Sequence, residues 1–208
     1  MYIAFEGIEG SGKSVQIRNA ENFLKNSNIS FVKTREPGST EIGVEIRKIL
    51  LNGSFSHMNY LTENFLYLAD RAEHFDKIIK KNIDKVEVIL SDRSFYSHMV
   101  YQGYGRGIEL ALLESLNKVV TGDILPDYVF LFDCSVETGL LRALEREESK
   151  TVDEARFEKE VRAFDERIRE GYLRFAESLK NWIIIDTEKG LKEVEDETIF
   201  HLKRILKK

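Results

Sequence analysis

The start of the chain combines glycine, lysine and serine at a spacing that suits phosphate chemistry. Residues 7–14 read Gly-Ile-Glu-Gly-Ser-Gly-Lys-Ser, which fits the pattern G-x-x-x-x-G-K-[ST] at every position. Glycines permit positive φ and a close approach of the backbone, so that consecutive N–H groups can surround a polyanion. Lys13 adds a charge for β- and γ-phosphates, and Ser14 offers a hydroxyl to Mg²⁺. The pattern therefore predicts a phosphate-binding loop.

The residues on both sides of this loop have the character that the motif requires. Residues 2–5 are an apolar run typical of a buried strand, and residues 15–26 carry an apolar stripe at helical spacing. A helix that begins behind the loop directs the positive end of its dipole at a bound anion. The alternative, a glycine-rich turn with a chance lysine, leaves this order of strand, loop and helix unexplained.

A second polar group, Ser91-Asp92-Arg93, follows the apolar run of residues 86–90. In open α/β sheets, ligands bind at the edge where the carboxyl ends of the parallel strands lie. We therefore expect Asp92 and Arg93 to lie close to the phosphate-binding loop. The alternative is a surface ion pair at the end of a strand.

Apolar runs that predict strands alternate with amphipathic helices along the chain. The predicted strands are residues 2–5, 29–34, 86–90, 127–132 and 182–185, and the predicted helices are residues 15–26, 40–51, 61–83, 94–101, 109–120, 136–146, 156–180 and 194–206. This alternation predicts a parallel sheet with right-handed crossovers and helices on both faces, a three-layer α/β/α fold in one domain, residues 1–208. The core-facing residues of the second and third helices are predicted to be Ile42, Ile46, Ile49, Leu50, Leu61, Phe65, Leu68, Ala72, Phe75 and Ile79.

Composition and charge narrow the function classes. The 208 residues are 42% hydrophobic and 32% charged, the mix of a soluble globular protein. A net charge of −5 without a basic block argues against nucleic acid as a partner. No long apolar segment and no leader are evident, so we expect a cytoplasmic protein without a membrane partner. The single cysteine, Cys134, excludes an internal disulfide and is expected to be a buried thiol.

Four motifs, taken together and in order, resemble the thymidylate kinase family. They are Phe5-Glu6-Gly7-Ile8-Glu9-Gly10-Ser11-Gly12-Lys13-Ser14; Arg35-Glu36-Pro37-Gly38; Asp92-Arg93 followed by Tyr101-Gln102-Gly103; and Arg156-Phe157-Glu158 before Tyr172-Leu173. The similarity extends from residue 1 to about residue 185. It implies a P-loop kinase fold with a five-stranded parallel sheet. The implied activity is phosphorylation of dTMP to dTDP by ATP with Mg²⁺, in a homodimer.

The resemblance also implies which residues bind the two nucleotides. The ATP phosphates would contact Gly7, Gly10, Ser11, Gly12, Lys13, Ser14 and Val15. The dTMP site would comprise Glu9, Pro37, Tyr67, Arg71, Arg93, Ser97, Tyr101, Gln102 and Tyr172. The catalytic residues would be Lys13, Asp92, Arg93 and Arg156, with Mg²⁺ held by Ser14 and Asp92, partly through water.

Several of these assignments come with a role and with an alternative. Glu9 would accept a hydrogen bond from the sugar 3′-hydroxyl, or it is a solvated carboxylate. Tyr67 would stack on thymine and Arg71 would hydrogen-bond its carbonyl, or the two form an exposed cation–aromatic pair. Tyr172 would line the deoxyribose, but it also falls on an apolar helix stripe. The Glu36–Pro37 peptide bond is expected to be cis, against the alternative of a plain helix stop.

Residues 145–158 are predicted to form a lid that supplies positive charge to the transferred phosphoryl group. The phosphate-binding loop itself contains no arginine, so the candidates are Arg146, Lys150 and Arg156. Arg156 is favoured because Arg-Phe-Glu matches the family. The alternative is a solvated charged face.

Four residues depart from the family pattern: Val15, Ser39, Ser94 and His98. They bear on base specificity more than on catalysis. Two other functions therefore stay open: a kinase for another nucleotide or nucleoside, and a non-catalytic nucleotide-binding relative. Intact Lys13 and Ser14 in the loop argue against the second.

Overall fold

The structure, a computed structural model, describes residues 1–147 and 162–207, and of Arg146 and Glu147 only the backbone. Its central sheet has five parallel strands in the order β2-β3-β1-β4-β5. The strands are β1 (Tyr2–Glu6), β2 (Phe31–Arg35), β3 (Val88–Asp92), β4 (Tyr128–Asp133) and β5 (Trp182–Asp186). The predicted five-stranded parallel sheet is confirmed.

Helices connect these strands. They are α1 (Lys13–Asn26), α2 (Glu41–Leu51), α3 (Tyr60–His74), α4 (Lys80–Asn82), α5 (Phe95–His98), α6 (Leu110–Thr121), α7 (Val136–Glu147), α8 (Arg162–Ser178) and α9 (Leu191–Leu206). Two π-helical turns, Phe75–Ile79 and Met99–Gly105, interrupt the predicted helix of residues 61–83 and extend the one of residues 94–101. Part of the predicted helix of residues 156–180 lies outside the described residues. Within the described part of the chain, no helix is both long and apolar enough to cross a membrane.

The side chains of β1 alternate between two hydrophobic cores, because successive residues of a strand point to opposite faces. Ile3 and Phe5 pack with residues of α1 and α9 on one face of the sheet. Ala4 packs on the other face with residues of α5 and α8. Cys134 lies in this second core, so the predicted buried thiol is confirmed, and burial raises its pKa. Helices on both faces give the three-layer fold.

The sheet brings the two polar motifs together at its carboxyl edge. Phe5 and Asp92 are neighbours in the register of β1 and β3, and the Arg93 N–H donates to the Phe5 carbonyl at 3.0 Å. The loop that follows β1 and the residues that follow β3 therefore lie side by side. The adjacency expected of Asp92 and Arg93 is confirmed.

The predicted inward faces of α2 and α3 are partly wrong. Leu61 and Phe65 are 51% and 56% exposed, and Ala72, Ile42 and Ile49 are exposed as well. The face of α3 that is buried is largely polar and consists of Glu63, Asn64, Leu68, Asp70, Arg71 and His74. Polar side chains can be buried there because each meets hydrogen-bonding partners beside a cleft, which outweighs the tendency of the apolar stripe to turn inward.

Candidate active site

A cleft of about 1160 Å³ opens at the carboxyl edge of the sheet. Pockets for a single small ligand usually measure about 300–1,000 Å³, so this cleft is large enough for two nucleotides. The predicted site residues that line it are Glu9, Gly10, Ser11, Gly12, Lys13, Ser14, Val15, Pro37, Tyr67, Arg71, Asp92, Arg93, Ser97, Tyr101 and Gln102. The structure thus brings together residues from the loop after β1, the turn after β2, α3 and the segment after β3.

Lys13, at the end of the phosphate-binding loop, forms hydrogen bonds with carbonyl groups at the start of the loop. The Lys13 ammonium donates to the carbonyls of Gly7 at 3.0 Å and Ile8 at 3.2 Å. Burial, together with the positive charge of Arg93, lowers the pKa of Lys13 to about 8. Gly12, at φ 84°, precedes α1 without a side-chain cap, so the positive end of the helix is open to the cleft. The loop can therefore receive phosphate oxygens.

Oxygen ligands suited to Mg²⁺ lie on the same side of the cleft. The hydroxyl-bearing Ser14 is exposed and Asp92 is half-buried, and both residues line the cleft. Among residues 1–147 and 162–207, no group of three His, Cys, Asp or Glu side chains could hold a metal ion. Magnesium commonly uses one or two carboxylates together with water and substrate phosphates. The residues present fit that mode of binding.

Arg93 is held by hydroxyl groups in the centre of the cleft. Its Nη1 donates to Ser97 Oγ and to the Tyr172 hydroxyl, each at 3.1 Å. The Tyr101 hydroxyl accepts from Nη2 at 3.4 Å, and a Glu9 carboxylate oxygen lies 3.6 Å from the same nitrogen. Two predicted dTMP-binding groups, an arginine and an acid, therefore lie next to each other.

Of the two roles that the sequence left open for Tyr172, the structure favours packing in the core. Its ring is buried in the second core with Ile168 and Phe164, as the apolar stripe of α8 predicts. Its hydroxyl accepts a hydrogen bond from Arg93, although Tyr172 itself does not line the cleft. Tyr172 therefore contributes to the site by holding Arg93. Gly7 is also set back from the cleft, and its carbonyl accepts from Arg93 at 3.3 Å.

Arg71 is buried, and nearly all of its donors are occupied. Nε and Nη2 donate to Glu36 Oε2 at 2.8 and 2.7 Å. Nη1 contacts Asn117 Oδ1 at 2.6 Å and His98 Nδ1 at 3.0 Å. A guanidinium has five N–H donors, so one N–H on Nη2 has no partner in the described part of the protein. The predicted exposed cation–aromatic pair with Tyr67 is excluded by the burial of Arg71.

His98 is neutral and its tautomer is fixed by its neighbours. Arginine only donates hydrogen bonds, so Nδ1 accepts and Nε2 carries the hydrogen, which it donates to Asn64 Oδ1 at 2.9 Å. Burial, together with the charge of Arg71, lowers the pKa of His98 to about 3. Both ring nitrogens are therefore used by the protein, and the ring lies 6.0 Å from that of Tyr67.

Glu36 is the anion that makes burial of Arg71 possible. Burial alone raises the pKa of this carboxyl, but the Arg71 charge and the hydrogen bond from His74 hold its pKa at about 2. His74 Nδ1 lies 2.8 Å from Glu36 Oε1, and its Nε2 lies 2.6 Å from Thr34 Oγ1. The Glu36–Pro37 peptide bond is cis, as predicted.

Gln102 has an acceptor without a partner. Its Nε2 donates to Glu63 Oε1 at 3.2 Å, whereas its Oε1 is buried and has no hydrogen-bond partner among the described residues. Gln102 lines the cleft. Because buried polar atoms are almost always hydrogen-bonded, this oxygen is suited to accept from a ligand N–H.

Sequence reasoning missed several residues that organise the site. Glu6 and Glu36 belong to recognised motifs, but no role was predicted for either, and His74, Asn64 and Asn117 were not predicted at all. The partners that these residues meet at the site lie far away in the chain, so no local pattern could have indicated them. The sequence offered one indication: Glu6 is an acidic residue at the end of an apolar strand, directly before the phosphate-binding loop.

The predicted lid lies mostly outside the described residues. Lys150 and Arg156 lie outside the described residues, and only the backbone of Arg146 is described. Arg142 of α7 and Asp165 of α8, the helices on either side of this segment, both line the cleft. The choice among the lid residues therefore stays a prediction.

Comparison with known proteins gives a consistent result. The family model described as "Thymidylate kinase" matches residues 5–198. The chain is 45% identical over 187 residues to the thymidylate kinase of Maridesulfovibrio salexigens, covering 89% of this chain and 86% of that one. It is 40% identical over 208 residues to that of Desulfosudis oleivorans, covering 99% and 97%. The crystal structure of thymidylate kinase from Ehrlichia chaffeensis superposes with a TM-score of 0.76 at 30% identity, covering 98% of both chains.

Proposed function

Because the chain belongs to the thymidylate kinase family, we propose that it is the phosphotransferase that makes dTDP from dTMP and ATP with the residues of the cleft described above. ATP phosphates bind the loop of residues 7–15, and dTMP binds between Tyr67 and Arg93. The large single cleft supports this arrangement, since the reaction needs both nucleotides at once.

The part of this proposal with the most direct structural support is recognition of the base by Gln102 and Arg71. Among the described residues, Gln102 Oε1 is a buried acceptor without a hydrogen-bond partner, and one N–H on Arg71 Nη2 also has none. The thymine edge presents the complement, an N3–H donor beside the O4 acceptor. Cytosine presents an unprotonated N3 and an amino group, so both contacts become mismatched. Tyr67 also lines the cleft, with its ring 6.0 Å from that of His98, which contacts Arg71, and it supplies a ring for stacking.

The acceptor phosphate and the sugar are placed by the centre of the cleft. Arg93 binds the phosphate, because a guanidinium offers two parallel donors to a phosphate oxygen pair. Glu9 accepts from the sugar 3′-hydroxyl, and Tyr101 and Ser97 complete this wall. Tyr172 acts here through Arg93, to which it is hydrogen-bonded.

Phosphoryl transfer follows from positioning and charge. A dTMP phosphate oxygen attacks the γ-phosphorus in line, and ADP leaves without a covalent enzyme intermediate. Lys13 stays close to the β- and γ-phosphates, and Arg93 orients the attacking phosphate. Ser14 and Asp92 would hold Mg²⁺, which would neutralise charge on the phosphates. Further positive charge is predicted to come from Arg156, which lies outside the described residues.

The proposal extends to a homodimer in the cytoplasm, where ATP is available. The outer faces of α2, α3 and α6 carry exposed apolar side chains, namely Ile42, Val44, Ile49, Leu61, Phe65 and Leu112. These helices pack side by side, so the exposed residues belong to neighbouring surfaces. Burial of such a surface against a second copy would remove it from water.

The base assignment is tested with substrates that differ only at the edge of the ring. We expect kcat/KM to fall from dTMP to dCMP and to N3-methyl-dTMP, since each leaves a buried polar group unpaired, at roughly 1–3 kcal/mol per group. We expect dUMP, which lacks only the methyl group, to lose about 1 kcal/mol. Equal use of dCMP and dTMP would refute the thymine assignment.

Variants of Arg71 and Tyr67 test which residue is responsible for the preference for dTMP over dCMP. Arg71→Ala should narrow the gap between dTMP and dCMP, because the donor that rejects the amino group is gone. Tyr67→Ala should weaken the use of both substrates equally, and Tyr67→Phe, which keeps the ring, should not. Steady-state kinetics on the folded variants, checked by circular dichroism, separates these outcomes.

A further inference from the structure

Glu6 is a fully buried carboxylate at the carboxyl end of β1, directly before the phosphate-binding loop. Its Oε1 accepts from the Ser94 N–H at 2.8 Å and from Ser94 Oγ at 2.7 Å. Its Oε2 accepts from Ser97 Oγ at 2.5 Å and from the Tyr172 hydroxyl at 3.0 Å. All four donors are neutral groups, and burial raises the pKa of Glu6. An anion in this position is costly, and packing alone does not explain it.

The hydrogen bonds to Glu6 set the direction of those that reach Arg93. A hydroxyl has one hydrogen, and an ionised carboxylate can only accept. A hydroxyl that donates to Glu6 keeps its lone pairs free to accept from Arg93 Nη1, which lies 3.1 Å from both Ser97 Oγ and the Tyr172 oxygen. These two oxygens also lie 2.8 Å apart, so one hydroxyl can donate to the other while the second donates to Glu6. Glu6 does not contact the guanidinium of Arg93 directly. It acts on the guanidinium by orienting the hydroxyls of Ser97 and Tyr172.

Glu6 also fixes the backbone beside Arg93. Arg93 has φ 69°, a left-handed conformation that is uncommon for a residue with a side chain. The Arg93 carbonyl accepts from Ser91 Oγ at 2.6 Å, and the next N–H, of Ser94, is bound by Glu6. The strained arginine is therefore held through its backbone and its side chain, and Glu6 contributes to both.

We propose that Glu6 is a positioning residue that holds Arg93 in place for the phosphate of the acceptor nucleotide, acting through Ser94, Ser97 and Tyr172. This inference rests on the proposed role of Arg93 in binding that phosphate. It predicts a larger effect on binding of the phosphate than of the sugar, because Arg93 binds the phosphate directly, whereas the sugar hydroxyl is bound by Glu9, 3.6 Å from Arg93.

The test compares dTMP with thymidine, which is the same ligand without the phosphate. Glu6→Gln keeps the shape of the side chain, but its amide group cannot accept on both sides. We expect the Kd of dTMP, from titration calorimetry, to rise about 10- to 100-fold, by analogy with the loss of residues that hydrogen-bond to metal ligands and orient them. The Kd of thymidine should stay within about 2-fold of the wild-type value, and Glu6→Asp, which keeps the charge, should recover part of the loss.

Variants of Arg93 separate this inference from the proposed function. Arg93→Ala should weaken dTMP binding, and adding Glu6→Gln to it should weaken binding no further, because Glu6 acts through Arg93. If Arg93→Ala leaves dTMP binding unchanged, the role of Arg93 is wrong and this inference falls with it. If Arg93→Ala weakens binding but Glu6→Gln does not, or weakens thymidine binding equally, only the inference about Glu6 is overturned.

A milder variant covers the case in which Glu6→Gln does not fold. Ser94→Ala removes one donor from Glu6 and leaves the carboxylate, Arg93 and the other hydroxyls in place. We expect the same selective loss of dTMP over thymidine, smaller than for Glu6→Gln. An equal change for both ligands would again overturn the inference.

Discussion

At the scale of single residues, Lys13 gives the protein a measurable pH dependence. Its pKa is lowered to about 8, so in the free protein its positive charge is lost as the pH rises through that value. Bound phosphates favour the charged form, and binding above pH 8 must therefore take up a proton. We expect the affinity for ATP to be constant below about pH 7 and to fall by up to about tenfold per pH unit above pH 8.

Calorimetric titrations of ATP between pH 6.5 and pH 9.5 check this prediction. Lys13→Ala should bind ATP weakly and without the fall centred near pH 8. A wild-type affinity that is flat over the whole range would show that the Lys13 charge does not titrate there.

At the scale of elements, the end of β2 and the buried face of α3 are joined by Glu36, Arg71 and His74. Glu36→Gln would leave the guanidinium of Arg71 buried without its anion. Loss of one partner from a buried ion pair costs about 3–5 kcal/mol, which corresponds to roughly 6–20 °C in Tm for a chain of this size. Glu45→Gln is the matched control, because Glu45 pairs with Lys48 on the surface and should change stability little.

The pH dependence of this contribution has a definite sign. The pKa of Glu36 lies at about 2, below its usual 4.5, so its stabilisation is complete above pH 4.5 and is lost as the pH falls towards 2. Urea denaturation across that window should show the loss in the wild type. Glu36→Gln should show a flatter profile, and identical profiles would contradict the assigned ion pair.

The same elements show what the sequence could and could not predict. The strands were predicted correctly because each is a short apolar run between turn residues, which is a local signal. The burial of α3 was predicted wrongly, because its apolar residues Leu61 and Phe65 have helical spacing but face outward. The partners of its polar face come from β2, α5 and α6, so only the folded chain brings them together. The motif residues were predicted by type, and their supporting residues were not.

At the scale of the whole molecule, the exposed apolar surface of α2 and α3 predicts self-association. Phe65, which is 56% exposed, belongs to this surface. Phe65→Glu should therefore place a charge in the proposed interface and shift the protein towards monomer. Phe200→Glu is the control, since Phe200 is 61% exposed on α9, on the other side of the sheet. Sedimentation velocity should show a smaller species for Phe65→Glu alone, and a monomeric wild type would exclude the dimer.

Helix α3 contributes one face to the cleft and the opposite face to the proposed dimer interface. Dimerisation and dTMP binding are therefore expected to influence each other. The buried face of α3 carries Arg71 into the cleft, and its outer face carries Phe65, about one helix diameter, or roughly 10 Å, away. If a second subunit steadies α3, the dimer binds dTMP more tightly than the monomer does. By mass action dTMP must then also favour the dimer, by the same factor. Specific activity would fall on dilution of the enzyme, and saturating dTMP would restore it.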